Sequence, residues 1–283
     1  MKITGAAKLA GVIGWPVAHS RSPALHGYWL DHYGIDGAYV PMAVEPVNLR
    51  RALQSMPLFG FAGCNLTIPH KEDGLRAVDE YDAAAKRAGG VNTVLVLPNG
   101  HLKGSSTDGY GFIAALRAQL TGFNAARGPA VVLGAGGASR AIVAALLDEG
   151  AREIRLVNRT PERAAKLAKA LGGEVRGITW EDRNQALAGA SLLVNATSLG
   201  MEGQPALELS LEALPLDAIV NDIVYVPLET NLLAMARARG NPCVDGLGML
   251  LHQAKPGFEA WFGVKPDVTQ GLRDAVLATL KQP

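Results

Sequence analysis

Residues 129–150 read Pro-Ala-Val-Val-Leu-Gly-Ala-Gly-Gly-Ala-Ser-Arg-Ala-Ile-Val-Ala-Ala-Leu-Leu-Asp-Glu-Gly, and this stretch decides the fold. Pro129 to Leu133 is apolar along its whole length, which predicts a buried strand ending at Gly134-Ala135-Gly136-Gly137. A helix is expected from about Ala138 to Asp148, stopped by Gly150. The same rhythm continues outward. Glu153 to Val157 reads as a strand, and Pro161 to Leu171 as a helix with Thr160 as its N-cap and Pro161 in its first turn. Ser191–Val194 and Ala218–Val220 are two more buried strands. Strands that are apolar on both faces and alternate with helices predict a parallel sheet covered on both sides. The expectation is a doubly wound domain over residues 108–246.

The first hundred residues carry a different β/α rhythm. Strands are expected at Val12-Ile13, Ala38 to Val40 and Gly63 to Leu66, with helices from Pro23 to Tyr33 and Leu49 to Met56. Val91–Leu97 and His101-Leu102 read as a hairpin about Asn99-Gly100, a pair suited to a tight turn. The tail from Met249 to Gln282 reads as helical, broken near Pro256 and Pro266, and must bury its apolar face back on the first domain. The fold class expected is therefore α/β with two domains, residues 1–107 plus 247–283 and residues 108–246, and a cleft between them.

Composition removes several classes of function. Of 283 residues 48% are hydrophobic and 19% charged, which supports a packed core and not a disordered chain. A net charge of +1 gives no attraction to a phosphate backbone, so no nucleic-acid partner is expected. Cys64 and Cys243 make neither a disulfide framework nor a metal-ligand spacing. The histidines show no His-Glu-x-x-His pattern, so no metal is expected. No stretch suits a membrane span, and Met1 to Gly11 lack the apolar core of a signal peptide. The reading is cytoplasmic, without membrane contact, and it leaves a homodimer open. Glycine accounts for 33 residues, about 12% against roughly 7% in average usage, which points to tight turns and close backbone approach to a ligand.

The strand–Gly134-Ala-Gly136-Gly137-Ala-Ser139–helix sequence is that of a dinucleotide turn. The first glycine permits the bend, the second lets backbone approach a pyrophosphate, and the third position must be small. Here the third position is Ser139. The helix N-terminus offers N–H groups and a positive dipole end to the phosphates. The second strand selects the cofactor. It ends in Asn158-Arg159-Thr160, with Arg163 one turn on, where NAD sites place a carboxylate. Arginine holds a 2′-phosphate through paired charged N–H donors, so NADP is the expected cofactor.

Polar clusters fill the first domain in an order that packing does not explain. They are Ser20-Arg-Ser22, Asn65-Leu-Thr67-Ile-Pro-His70-Lys71, Val91-Asn92-Thr93 and Thr107-Asp108-Gly109. Asn195-Ala-Thr197-Ser-Leu-Gly200, Asp222-Ile-Val-Tyr225 and Gly248-Met-Leu-Leu-His-Gln253 follow in the remainder. Together with the glycine turn they resemble the shikimate dehydrogenase family over residues 10–265. The resemblance implies NADP-dependent interconversion of 3-dehydroshikimate and shikimate, a step of aromatic amino-acid biosynthesis. It implies Lys71 as acid/base, paired with Asp108. Ser20 and Ser22 would bind the substrate carboxylate. Asn65, Thr67, Asn92, Asp108 and Gln253 would hold ring hydroxyls, with Tyr225 nearby. Gly134, Ala135, Gly136, Gly137, Ala138 and Ser139 would hold the pyrophosphate, and Asn158, Arg159, Thr160 and Arg163 the 2′-phosphate. Thr197, Ile223 and Gly246 complete the implied cofactor contacts.

The chemistry suits those roles. Hydride delivery to a ketone develops negative charge on oxygen, which a lysine ammonium meets with both a proton and a charge. Four positions depart from the family pattern: Ser106 for the usual Asn, Gly90 for the usual Ala, Trp15 at a position of smaller or acidic residues, and Pro256, which predicts a kink just past Gln253. Two other readings compete. One is a dehydrogenase of quinate or aminoshikimate. The other is a non-catalytic sensor of NADP or shikimate, which would have no need of Lys71 and Asp108.

Overall fold

The computed structural model describes residues 3–280. The chain forms two units: one runs to Thr107 and resumes at Leu251, and the other is Asp108–Leu250.

The first unit is built on a mixed six-stranded sheet. Its elements in chain order are β1 (Lys8–Gly14), α1 (Ser22–His32), β2 (Gly37–Ala43), α2 (Leu49–Ser55), β3 (Phe61–Leu66), α3 (Lys71–Ala77), β4 (Glu80–Tyr81), α4 (Ala83–Ala88), β5 (Thr93–Val96) and β6 (Leu102–Ser105). The strand order is β2-β1-β3-β5-β6-β4. β2, β1 and β3 are parallel, whereas β5 runs antiparallel to both β3 and β6. The β5–β6 hairpin turns where Asn99-Gly100 predicts. Gly100 has φ +82°, and Leu97 N–H donates to the His101 carbonyl at 2.8 Å. Ile13, Leu53, Leu66, Val91 and Val94 belong to one core.

The second unit begins with α5 (Asp108–Gln119). It continues β7 (Ala130–Leu133), α6 (Gly137–Asp148), β8 (Ile154–Asn158), α7 (Pro161–Leu171), β9 (Val175–Thr179), β10 (Leu192–Asn195), β11 (Ile219–Asp222), α8 (Asn231–Arg239) and β12 (Cys243–Val244). The order β12-β11-β10-β7-β8-β9 is parallel throughout. β7 lies between β8 and β10, so the crossovers reverse direction there, and ligands of such sheets bind outside the carboxyl ends at that point. Thr160 flanks α7, but its side chain makes no capping hydrogen bond, contrary to the sequence expectation. Its carbonyl instead accepts from Asn158 Nδ2 at 2.9 Å.

The chain returns through α9 (Gly246–Gln253), then α10 (Lys255–Phe262) and α11 (Gln270–Leu280). The sequence places the return at residue 247, but the units part after Leu250. Met249 belongs to the core of the second unit, and a Cβ at Gly248 would stand 2.7 Å from Gln119 Nε2, so the start of α9 is held there. Pro256 falls in the first turn of α10, where its missing N–H removes no helical bond, and the helix breaks at Ala254. Of the tail expected to be helical, residues 281 and 282 lie outside the described residues. Trp29 on α1 and Phe258 and Trp261 on α10 are buried where these helices pack on the sheet. Trp261 Nε1 donates to the Val94 carbonyl at 2.9 Å.

That last contact needs Gly63. A Cβ there would stand 2.0 Å from the Val94 carbonyl oxygen and 2.3 Å from Trp261 Nε1. Neither a sheet backbone nor a packed indole can yield that distance. We expect Gly63→Ala to destabilise the protein by about 3 kcal/mol or more. Urea unfolding measures this, and a midpoint equal to wild type would show that β3 and β5 separate at little cost.

Candidate active site

In the second unit the glycine-rich turn links β7 to α6. Gly134 N–H donates to the Val157 carbonyl at 2.7 Å, and Gly134 has φ +103°. A Cβ there would meet the Ala196 carbonyl oxygen at 3.0 Å and Ser139 Oγ at 3.2 Å. Gly136 and Gly137 face open space, with nothing within 4 Å of an added Cβ. Gly136 caps α6 with no side-chain hydrogen bond, so no side chain competes for the helix's first N–H groups. Ser139 is fully buried and its hydroxyl has no partner. An open backbone cradle, uncapped N–H groups and an orphaned hydroxyl fit a pyrophosphate. Ala138 lies in the same first turn of α6.

Asn158, at the end of β8, ties two loops together. Its Oδ1 accepts from Ala135 N–H at 3.2 Å, and its Nδ2 donates to the Thr160 carbonyl. Arg159, Thr160 and Arg163 are exposed beside this brace. In doubly wound domains the adenosine ribose is recognised from this strand end, so the two charges suit a 2′-phosphate there.

A network that no sequence motif marks as one unit arranges the neighbouring strand ends. Asn195 Nδ2 donates to Asp222 Oδ1 at 3.0 Å, while Asn195 Oδ1 accepts both the N–H and the hydroxyl of Thr197. Asp222 Oδ1 also accepts from Val224 N–H, and Oδ2 from the Thr230 hydroxyl at 2.8 Å. Burial raises the Asp222 carboxyl above the ordinary carboxylate range, opposed by those hydrogen bonds. Thr197, Ile223 and Tyr225 sit on the loops so fixed. Gly246 joins them because a Cβ there would stand 2.2 Å from the Ile223 carbonyl oxygen.

The first unit gathers its polar residues at the ends of β1 and β3. Gly14 closes β1, and a Cβ there would meet Thr67 Cγ2 at 2.6 Å, so glycine lets the two loops approach. Ser20 Oγ accepts from Ser22 N–H at 3.4 Å, and the buried Ser22 opens α1. Asn65, at the end of β3, donates from Nδ2 to the Asn92 carbonyl at 2.9 Å and to Thr93 Oγ1 at 3.2 Å. Its Oδ1 accepts from the Tyr39 hydroxyl at 2.6 Å. Both N–H bonds of Asn65 are thus spent inside the protein, which makes it a brace with only Oδ1 to offer a ligand.

Asn92 is the hub of this unit. Its Oδ1 accepts Thr107 N–H at 2.8 Å, and its Nδ2 stands 3.0 Å from Thr107 Oγ1 and 3.2 Å from Gln253 Oε1. Thr107 is the residue before Asp108, so this amide fixes the chain from which the buried Asp108 starts α5. Lys71 begins α3 half-buried, and its carbonyl accepts Val91 N–H at 2.8 Å, next to Asn92. A Cβ at Gly90 would stand 3.1 Å from the Lys71 carbonyl oxygen, so the glycine found here allows that approach.

Two histidines of this unit are structural. His70 is buried with Nε2 2.8 Å from the Val44 carbonyl oxygen. His26 is enclosed, its ring stacked on Tyr39 at 4.0 Å, and neither ring nitrogen finds a hydrogen bond. Among the described residues no group of three or more His, Cys, Asp or Glu could hold a metal. Cys64 is buried, and burial pushes its thiol well up, so it is no nucleophile.

Burial lowers the His26 pKa from 6.5 to about 3, offset in part by the nearby Asn65 side chain. His252 is lowered to about 4, by burial first and by Lys255 second. Both rings stay neutral in the folded chain and take up protons on unfolding. Their contribution to stability is therefore intact above pH 6.5 and is lost as pH falls below it. For His26 the slope is about 1.4 kcal/mol per pH unit down to about pH 3. We expect urea unfolding at pH 5 to show about 2 kcal/mol less stability than at pH 7 from this residue, and His26→Phe to remove that part. An unchanged slope in His26→Phe would place the acid sensitivity elsewhere.

Three family models match the chain: "Shikimate dehydrogenase substrate binding domain" over residues 12–94, "Shikimate / quinate 5-dehydrogenase" over 116–201, and "Shikimate 5'-dehydrogenase C-terminal domain" over 246–277. The shikimate dehydrogenase (NADP(+)) of Paramagnetospirillum magneticum is 58% identical over 276 residues, covering 98% of this chain and 100% of that one. The Thermus thermophilus shikimate 5-dehydrogenase, solved with NADP(H) and shikimate, superposes with a TM-score of 0.85 at 39% identity, covering 96% of this chain and 99% of that one. The quinate dehydrogenase of Corynebacterium glutamicum, solved with NAD, superposes at 0.89 with 32% identity, covering 96% and 99%.

Proposed function

The chain belongs to the shikimate dehydrogenase family, and on that premise we propose that Lys71 and Asp108 carry out the proton chemistry of its reaction. It is an NADP-dependent oxidoreductase that interconverts 3-dehydroshikimate and shikimate, in aromatic amino-acid biosynthesis. NADP(H), when bound, supplies or accepts the hydride. In the reductive direction Lys71 Nζ gives a proton to the carbonyl oxygen as negative charge develops there, and Asp108 aims the ammonium. In the oxidative direction Lys71 Nζ takes the hydroxyl proton.

The cofactor is assigned to the second unit, and the substrate to residues of the first together with Asp108 and Tyr225. Ser20 and Ser22 bind the carboxylate through hydroxyl donors. Thr67, Asn92, Asp108 and Gln253 hold ring hydroxyls, with Tyr225 nearby and Asn65 bracing them. A pocket of such groups rejects an analogue that leaves one of them unpaired. The turn from Gly134 to Ser139 takes the pyrophosphate, supported by its open cradle and the orphaned Ser139 hydroxyl. Asn158, Arg159, Thr160 and Arg163 surround the 2′-phosphate, and Thr197, Ile223 and Gly246 complete the cofactor site.

The observation that carries this reading is the Val91-Asn92 segment: Val91 N–H donates to the Lys71 carbonyl, and Asn92 Oδ1 accepts the N–H of Thr107, the residue before Asp108. The test is nicotinamide reduction by purified protein with shikimate or quinate, each against NADP and NAD. Turnover confined to shikimate with NADP is expected. Equal turnover of quinate with NAD would favour the second reading, which the likeness to the quinate dehydrogenase supports. Cofactor binding without turnover of either acid would favour a sensor. Among the described residues no helix is long and apolar enough to cross a membrane. The cytoplasm is the compartment we assign, in keeping with two free cysteines.

A further inference from the structure

Tyr39 lies in the middle of β2, outside every motif that carries the family likeness. Its hydroxyl is nonetheless part of the site's framework. The residue is 7% exposed, its ring is stacked on His26 with an interplanar angle of 9°, and its hydroxyl donates to Asn65 Oδ1 at 2.6 Å. An Oδ1 atom only accepts, so the phenolic proton is committed to Asn65. Asn65 then gives its two N–H bonds to the Asn92 carbonyl and Thr93 Oγ1, and Thr93 Oγ1 donates to Asn92 Oδ1 at 3.1 Å. Asn92 in turn holds Thr107. One buried path thus runs from Tyr39 through Asn65 and Asn92 to the residue preceding Asp108.

We propose that Tyr39 is a positioning residue for the reaction: its hydroxyl sets the orientation of the Asn65 amide, and through Asn92 and Thr107 it fixes the start of α5 that bears Asp108. Without that donor, Asn65 Oδ1 loses the Tyr39 hydroxyl in a buried place, and the amide, held by its two N–H bonds alone, can tilt. The displacement passes to Asn92, whose peptide neighbour Val91 holds the Lys71 carbonyl. Small misplacements of reacting groups are costly to rate, as much as a hundredfold for about 1 Å. The inference rests on the reading of Lys71 and Asp108 as the reacting pair.

The test compares Tyr39→Phe, Asn65→Ala, their double variant and Lys71→Ala in shikimate oxidation with NADP. Phenylalanine keeps the ring on His26, so the fold is retained. We expect Tyr39→Phe to lower kcat about tenfold, with the KM for NADP unchanged, and to add less than about twofold to the loss already present in Asn65→Ala. Wild-type kcat in Tyr39→Phe beside an inactive Lys71→Ala overturns the role of Tyr39 and leaves the pair standing. Full additivity with Asn65→Ala also overturns it, because the hydroxyl would then act by another route. An active Lys71→Ala overturns both, since nothing would remain for Tyr39 to position. A lower unfolding midpoint with unaltered kcat marks a merely structural hydroxyl and overturns the proposal as well.

Discussion

Lys71→Ala is expected to lower kcat for shikimate oxidation by about a thousandfold while NADP affinity stays within about twofold of wild type. General acid–base groups contribute on the order of a hundred- to ten-thousandfold, and a lysine that also stabilises developing oxyanion charge belongs in the middle of that range or above. The substitution should be well tolerated by the fold. Lys71 is half-buried at the first position of α3, and its carbonyl, which alanine keeps, accepts Val91 N–H. The cofactor prediction rests on the assignment of the dinucleotide to the turn at residues 134–139, of which Lys71 is no part. Steady-state kinetics and NADP titration by fluorescence measure the two quantities. Equal loss of both would make Lys71 a phosphate-binding or structural residue.

Some of the fold is legible in the sequence because its physical cause is local. Apolar runs such as Val131-Val132-Leu133 must be buried on both faces, so β7 and the parallel sheet around it follow directly. Asn99-Gly100 carries its own turn geometry. Other elements depend on neighbours that no local pattern names. β9 has exposed Arg176 and Gly177 at its middle and becomes a strand only by pairing with β8. α8 shows little amphipathic pattern, and its Thr230 cap is recognisable only once Asp222 is seen to hold the same hydroxyl.

The same division applies to the site. Glycines within the motifs also serve packing. A Cβ at Gly109 would stand 2.9 Å from Ala145 Cβ, so this motif glycine lets α5 lie against α6. Asn65 has the residue type of a hydroxyl binder, and only the fold reveals that its amide is spent on Asn92 and Thr93. Tyr39 carries no motif at all. Its role depends on the parallel pairing of β2 with β1 and of β1 with β3, which brings residues far apart in sequence into one layer.

The basic pair beside Asn158 leads to the second large effect. Arg159→Asp is expected to shift the ratio of kcat/KM for NADP over NAD by about a hundredfold toward NAD. Two contributions add. A charge-assisted hydrogen bond to phosphate is worth about 1.5–3 kcal/mol, and it is lost. The new carboxylate repels the 2′-phosphate but accepts a hydrogen bond from a free ribose 2′-hydroxyl. Exposure of Arg159 moderates both through solvent and salt screening, which keeps the expected shift to about a hundredfold although the sum of the two would exceed it. With Arg163 assigned to the same phosphate, NADP use should fall without vanishing. The Asn158 brace to Ala135 and Thr160 is untouched, and turnover at saturating cofactor should therefore stay near wild type. The effect should also shrink as salt is raised, because the lost attraction is electrostatic. An unchanged NADP/NAD ratio would put the 2′-phosphate elsewhere, and a salt-independent change would mean that the aspartate distorts the turn and not the charge.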